Sequence, residues 1–137
     1  MDTRELIKKA LQARTYSYSP YSKFKVGAAL ETKSGKIYTG CNVENAAYTP
    51  SNCAERTAFF KAVSEGEREF LRIVVVGGYE QGEELEQYVS PCGVCRQVMM
   101  EFCNPKEFRV IIAKSVEDYK EHTLEELMPF GFGPETL

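Results

Sequence analysis

No stretch of this 137-residue chain approaches the run of roughly 18 apolar residues that a membrane-spanning helix requires, so a helical span is excluded. Basic residues are not in excess. Lys and Arg number 17 against 20 Asp and Glu, a formal net charge of -3, and no cluster of like positive charge stands out. That argues against broad binding to nucleic acid, whose affinity is carried by phosphate contacts. Repeats, low-complexity tracts and linkers are absent. The opening Met1-Asp2-Thr3-Arg4-Glu5 is polar and acidic, so it does not read as an export signal. Histidine is almost missing. The single one, His122, lies beside a helix cap and is expected at the surface rather than on a metal. Five cysteines make an odd number. Without an export signal this favours a reduced, cytoplasmic protein whose thiols bind metal or pack as small hydrophobes.

What is present suits one globular domain spanning residues 1–137, with 43% hydrophobic and 27% charged residues. Residues 2–14 read as an amphipathic helix, with Asp2 as cap and Leu6, Ile7, Ala10 and Leu11 on one face. Residues 25–31 and 37–44 alternate around the turn Lys33-Ser34-Gly35-Lys36, which predicts a hairpin. Residues 53–63 read as a helix, and 71–76 form a continuous apolar run suited to a strand covered on both faces. A helix over 93–103 and a buried strand over 108–113 then imply a parallel crossover. Thr123 and Glu126 have the spacing of a capping box for a short helix. The expected fold is α/β, three layers (α/β/α) with a mixed sheet of about five strands.

Two segments carry chemistry: Cys53-Ala54-Glu55 and Ser90-Pro91-Cys92-Gly93-Val94-Cys95. A C-x-x-C at a helix start brings two sulfurs to one ion, and Cys53, also at a predicted helix start, offers a third. Zinc accepts thiolates in tetrahedral geometry, and three protein ligands leave one position open for chemistry. Helix N-termini favour thiolates. The pair could instead be a redox dithiol, but no strand leads straight into it. It could be half of a closed four-cysteine site, for which only Cys41 and Cys103 remain. Cys41 is expected in the core beside Ile37, and Cys103 packed beside Met99. Glu55 has a plain alternative as well: Asn52-Cys53-Ala54-Glu55 has the form of a capping box. Residues two apart on a helix do not face each other, although side chains of a first turn lean back past the helix end.

The sequence resembles the cytidine deaminases of the small three-cysteine class. The likeness runs through residues 18–30 (Tyr-Ser-Pro-Tyr-Ser-Lys-Phe-Lys-Val-Gly-Ala-Ala-Leu), residues 42–48 (Asn-Val-Glu-Asn-Ala-Ala-Tyr), Cys53-Ala54-Glu55-Arg56-Thr57-Ala58, Pro91-Cys92-Gly93-Val94-Cys95-Arg96-Gln97 and Phe132-Gly133-Pro134, nearly the whole chain. It implies hydrolytic deamination of cytidine and deoxycytidine to uridine and deoxyuridine with release of ammonia, as in pyrimidine salvage. One zinc per chain, held by Cys53, Cys92 and Cys95, would supply a hydroxide that attacks C4, and Glu55 would shuttle the protons. Three thiolates and a hydroxide leave such a site net negative. Arg56, three residues after Cys53 and so on its helical face, is then read as a donor to the sulfurs rather than an ordinary surface arginine.

The same likeness puts Asn42 and Glu44 on the ribose, Phe24 on the pyrimidine face, the Ala54 backbone at the base edge and the Ser90 carbonyl at the leaving amino group. From the pattern alone, Asn42 and Glu44 are equally well a solvent-facing pair of a strand, and Phe24 a core aromatic. The likeness further implies a homotetramer with shared active sites, in which Phe132 covers the base of a neighbouring subunit and Tyr48 lines a neighbouring pocket. The alternative for the tail is that Phe130 and Phe132 tuck onto their own core. Three rivals stand beside this reading. A deaminase of a nucleoside-like antibiotic such as blasticidin S would share the zinc motifs, but Phe24 and Asn42-Val43-Glu44-Asn45 favour cytidine. A polynucleotide-editing deaminase is opposed by the charge balance. A non-catalytic zinc module needs a fourth ligand that the sequence does not offer.

Overall fold

The computed structural model describes residues 1–137. Helix α1 (Thr3–Arg14) is capped by Asp2, whose carboxylate accepts from the Arg4 amide at 3.1 Å, and it buries Leu6, Ile7, Ala10 and Leu11 as the spacing requires. Strands β1 (Lys25–Thr32) and β2 (Ile37–Cys41) form the hairpin. Helix α2 (Ala54–Ser64), strand β3 (Phe70–Gly78), helix α3 (Gly93–Phe102) and strand β4 (Arg109–Ala113) follow, then β5 (Tyr119–Thr123) and the one-turn α4 (Leu124–Leu127). The sheet order is β2-β1-β3-β4-β5. Only β3 and β4 run parallel, joined across α3, and the other pairings are antiparallel.

The sheet separates two apolar layers. On one side Leu6, Ile7, Ala10 and Leu11 of α1 meet Ala29, Val74, Val76 and Ile111. On the other, Phe59 and Ala62 of α2 and Met99 of α3 meet Leu30, Ile73, Val110 and Ile112. Neighbouring residues of β3 therefore feed opposite layers, which is why that strand reads as a continuous apolar run. This is the three-layer α/β/α arrangement with five strands.

Two glycines set the helices close to the sheet. A Cβ on Gly27 would fall 2.1 Å from the Ala10 carbonyl oxygen, and one on Gly40 would fall 2.4 Å from that of Ala54. The first turn of α2 thus lies directly on β2, and this contact brings Cys53 and Glu55 to the end of the hairpin.

Three details differ from the sequence reading. Strand β2 stops at Cys41 instead of reaching residue 44, and Val43 makes only isolated bridges to Tyr18 and Asn52. Cys41 is half-buried and not in the core, because β2 is the edge of the sheet and has fewer neighbours to cover it. The Asn52 capping box does not form. Cys53 is the N-cap of α2 with extended backbone, and the Asn52 amide instead donates to Thr57 Oγ1 at 3.3 Å. The Thr123–Glu126 capping box does form. Cys103 packs against the α2/α3 layer, where burial pushes its thiol up. His122 lies on β5, 3.8 Å from Glu126, outside the one cluster of metal-capable side chains.

Candidate active site

Cys53 caps α2 and Cys92 caps α3, so both sulfurs project in front of helix N-termini, where unpaired amides favour negative charge. Cys95, on the first turn of α3, is fully buried, and its amide donates to Cys92 Sγ at 3.4 Å. The three Sγ atoms converge: Cys53 to Cys92 is 3.8 Å, Cys92 to Cys95 is 3.4 Å, and all lie within 4.8 Å of one another. Tetrahedral zinc with Zn–S bonds of about 2.3 Å sets its sulfurs about 3.8 Å apart, so the triad fits that ion. No fourth His, Cys, Asp or Glu joins the cluster. Cys41 and Cys103 are not part of it, which removes the closed four-cysteine alternative.

The arginine after the motif meets the triad. Arg56 Nη2 donates to Cys53 Sγ at 3.2 Å, while its Nε is buried without a partner within the chain. Hydrogen bonds from the Cys95 thiol and from Arg56 hold the Cys53 thiol down at about 5, against the effect of burial. The hydrogen bond to Cys53, with burial, pushes the Cys95 thiol up.

Glu55 is only 4% exposed. Burial pushes its carboxyl up to about 7, with the negative Cys53 acting in the same direction. The concern that residues two apart on a helix diverge does not arise here. Cys53 precedes the first helical residue, so its side chain leaves from extended backbone while Glu55 leaves from the first turn.

These groups open onto a cavity of about 390 Å³, also lined by Phe24, Val26, Asn42, Glu44, Ala54, Val89 and Ser90. That volume lies within the usual range for small-molecule sites. Asn42 and Glu44 reach it from irregular backbone beyond β2, and both are already engaged. Asn42 Oδ1 accepts from the Val26 amide at 2.9 Å and from the Ser17 hydroxyl, and Nδ2 donates to the Phe24 carbonyl at 2.8 Å. One N–H of the Asn42 amide remains free. Glu44 accepts from the Tyr21 and Ser22 amides at 3.0 and 3.1 Å and from the Ser22 hydroxyl. The bonds from Ser22 hold the carboxyl below its ordinary range. Phe24 is half-buried and meets Tyr79 edge-on, with ring centroids 4.9 Å apart.

Two of the residues singled out in the sequence stay outside this cavity. Tyr48 is 73% exposed, with φ of 62° in the left-handed region, and Phe132 is 57% exposed. Neither ring tucks onto its own core, nor does that of Phe130. Other residues joined the site without a sequence signal of their own. Ser22, Ser51 and Asn52 line the cavity from loops. Arg96 binds the Pro91 carbonyl at 2.7 Å, the Ser90 hydroxyl at 3.0 Å and the Leu127 carbonyl at 2.5 Å, and so fixes the loop before Cys92. The C-x-x-C-R spacing puts Arg96 next to the cysteine pair, the one clue available in the sequence.

Three converging thiols beside a buried carboxyl, on the floor of a ligand-sized cavity, define a metal-dependent hydrolytic enzyme of the three-thiolate class. Comparison with known proteins identifies which one. Residues 1–112 match the family model for the cytidine and deoxycytidylate deaminase zinc-binding region. The chain is 50% identical to the cytidine deaminase of Sporosarcina psychrophila, covering 100% of this chain and 96% of that one. It is 47% identical to that of Halalkalibacterium halodurans, with 100% and 98% covered. Its structure superposes on the crystal structure of cytidine deaminase from Burkholderia pseudomallei with a TM-score of 0.86 at 46% identity, covering 96% of this chain and 100% of that one. The chain belongs to the cytidine and deoxycytidylate deaminase family.

Proposed function

We infer that this protein catalyses the zinc-dependent hydrolytic deamination of cytidine and deoxycytidine, giving uridine or deoxyuridine and ammonia, with residues 1–137 acting as one catalytic domain. The observation that carries this reading is the Cys53–Cys92–Cys95 triad with buried Glu55 beside it, in a chain related over its full length to cytidine deaminases. Zinc on the three sulfurs supplies a Lewis acid that brings the pKa of water towards 7. The chain's own groups do the rest. Phe24 stacks on the pyrimidine. The free N–H of Asn42 and the carboxylate of Glu44 hold the ribose hydroxyls. The Ala54 backbone orients the base edge, and the Ser90 carbonyl accepts from the exocyclic amino group. Glu55 carries a proton from water to ring N3 and another to the departing amine. Arg56 offsets the negative charge of the sulfurs.

Incubating the purified protein with cytidine and following ultraviolet absorbance and released ammonia tests the reading. Stoichiometric uridine and ammonia are expected, and no conversion by zinc-loaded protein would overturn it. The antibiotic-deaminase and non-catalytic alternatives have no observation in their favour. The five free thiols suit a reducing compartment, which supports action in the cytoplasm on salvaged nucleosides.

Arg56→Gln is expected to retain zinc and lose activity by about 10–100-fold, the usual cost of removing a group that tunes a metal ligand. Unchanged kcat and an unchanged pH profile would return Arg56 to a purely structural role.

The protein acts as a homotetramer with shared sites in this reading, and two observations support it. Tyr48 and Phe132 are exposed aromatics on either side of the cavity's sequence motifs, and neither covers its own core. The Phe132 carbonyl accepts from Gln97 of α3 at 3.0 Å, which fixes the tail near the metal helix. Light scattering is expected to give four chains, and Phe132→Ala is expected to raise KM by roughly tenfold through loss of an aromatic contact. A fully active monomer, or unchanged kinetics in Phe132→Ala, would refute the shared site.

A further inference from the structure

The reaction as read above leaves the buried, charged side chain of Arg14 unused. Arg14, the last residue of α1, is 4% exposed, and all its hydrogen-bond partners are backbone carbonyls. Nε donates to Lys25 at 3.0 Å, Nη2 to Gly78 at 2.8 Å and to Glu80, and Nη1 to Gly82 at 3.3 Å. Lys25 and Gly78 are the terminal pair of the β1–β3 ladder. The guanidinium therefore ties the two strands together where their own pairing stops. A planar fork with five donors is suited to holding several carbonyls at once.

The next residues outward on the two strands are Phe24 and Tyr79. They meet edge-on at 4.9 Å with no ladder to hold them. Phe24 lies over Gly77, where an added Cβ would come 3.1 Å from its ring, so the backbone of β3 leaves space for the aromatic. The turn before it is demanding: Lys23 has φ of 64°, in the left-handed region. Asn42 grips Phe24 from the β2 side through its carbonyl, and Arg14 grips the adjoining Lys25 from the α1 side.

We propose that Arg14 is a positioning residue for the base-stacking wall of the cavity: by clamping the end of the β1–β3 ladder it holds Phe24 against Tyr79, which buttresses the ring from outside. This rests on the reading that Phe24 stacks on the pyrimidine. Arg14 sets the orientation of the ring and not the chemistry at C4, so its loss weakens nucleoside binding and leaves turnover of bound nucleoside nearly intact.

The test measures KM and kcat for cytidine on zinc-loaded Arg14→Met, Arg14→Lys, Tyr79→Ala and Tyr79→Phe, with Phe24→Ala alongside. Arg14→Met and Tyr79→Ala are each expected to raise KM roughly tenfold, the scale of a lost aromatic contact, with kcat within about threefold. The double variant should raise KM no further than the larger single effect, because both changes release the same ring. Tyr79→Phe keeps the ring and should restore KM, whereas Arg14→Lys keeps the charge without the fork and should recover only part. Tyr79 is 62% exposed, so Tyr79→Ala reads the buttress even where Arg14→Met does not fold, and Arg14→Lys then reads the clamp: an Arg14→Lys variant with unchanged KM overturns it. Unchanged KM in Tyr79→Ala, or a Tyr79→Phe variant as impaired as Tyr79→Ala, overturns the proposal. If Phe24→Ala raises KM while the Tyr79 and folded Arg14 variants are normal, the positioning role alone falls. If Phe24→Ala leaves KM unchanged, the stacking assignment falls and the proposal with it.

Discussion

Cys92→Ala is expected to lose its zinc and, with it, activity by more than about 10⁴-fold, since water without the ion returns to a pKa near 15.7. The reason lies in the triad itself. Three sulfurs set 3.4 and 3.8 Å apart have no fourth protein donor, so removing one leaves two ligands, too few to hold the ion tightly. Cys92 also accepts the Cys95 amide at the start of α3, so the substitution loosens the second ligand as well. Cys41→Ala and Cys103→Ala are expected to keep one zinc per chain, because neither thiol belongs to the cluster. Metal analysis after gel filtration, read with the cytidine assay, checks all three. Full zinc content in Cys92→Ala would defeat the ligand assignment, as would zinc loss in Cys41→Ala or Cys103→Ala.

The second large effect is at Glu55. Glu55→Gln is expected to keep its fold and its zinc while kcat falls by at least roughly 10²–10⁴-fold, the range for loss of a general acid–base group. Glutamine keeps the shape and can still fill the buried space, but it cannot carry a proton between water, ring nitrogen and amine. The side chain is 4% exposed beside three sulfurs, so water would be a poor substitute as the carrier. Near-normal kcat at full zinc occupancy would assign Glu55 a structural role only. Because Cys92→Ala removes the metal and Glu55→Gln retains it, metal analysis separates the two losses.

Much of the architecture was legible because each helix and strand carries its own periodicity. The face of α1, the hairpin, the doubly covered β3 and the α3 crossover all follow from side-chain spacing, since one buried face or two must show as a repeat in sequence. Strand β5 was not. Tyr119-Lys120-Glu121-His122-Thr123 is mostly exposed at the sheet edge and has no apolar alternation to reveal it. The half-buried state of Cys41 is hidden for a related reason: alternation gives the face of a residue, but not whether its strand lies at the centre or the edge of the sheet.

The metal-capable triad was likewise written in the chain, because a C-x-x-C at a helix start brings two sulfurs together locally and only one distant cysteine had to be chosen. By itself, the sequence determined the α/β class, the metal-capable triad and the carboxyl beside it, all of which depend on residue type and short spacing. Only the tertiary structure decided that Cys53 is a cap and Glu55 a buried first-turn residue, that Asn42 and Glu44 are already bound to the loop carrying Phe24, and that Arg14 closes the ladder between Phe24 and Tyr79. These contacts join residues from 11 to 68 positions apart in the chain. Their geometry comes from the close seating of α1 on β1 and of α2 on β2, at Gly27 and Gly40, and long-range packing of that kind leaves no periodic trace in a single sequence.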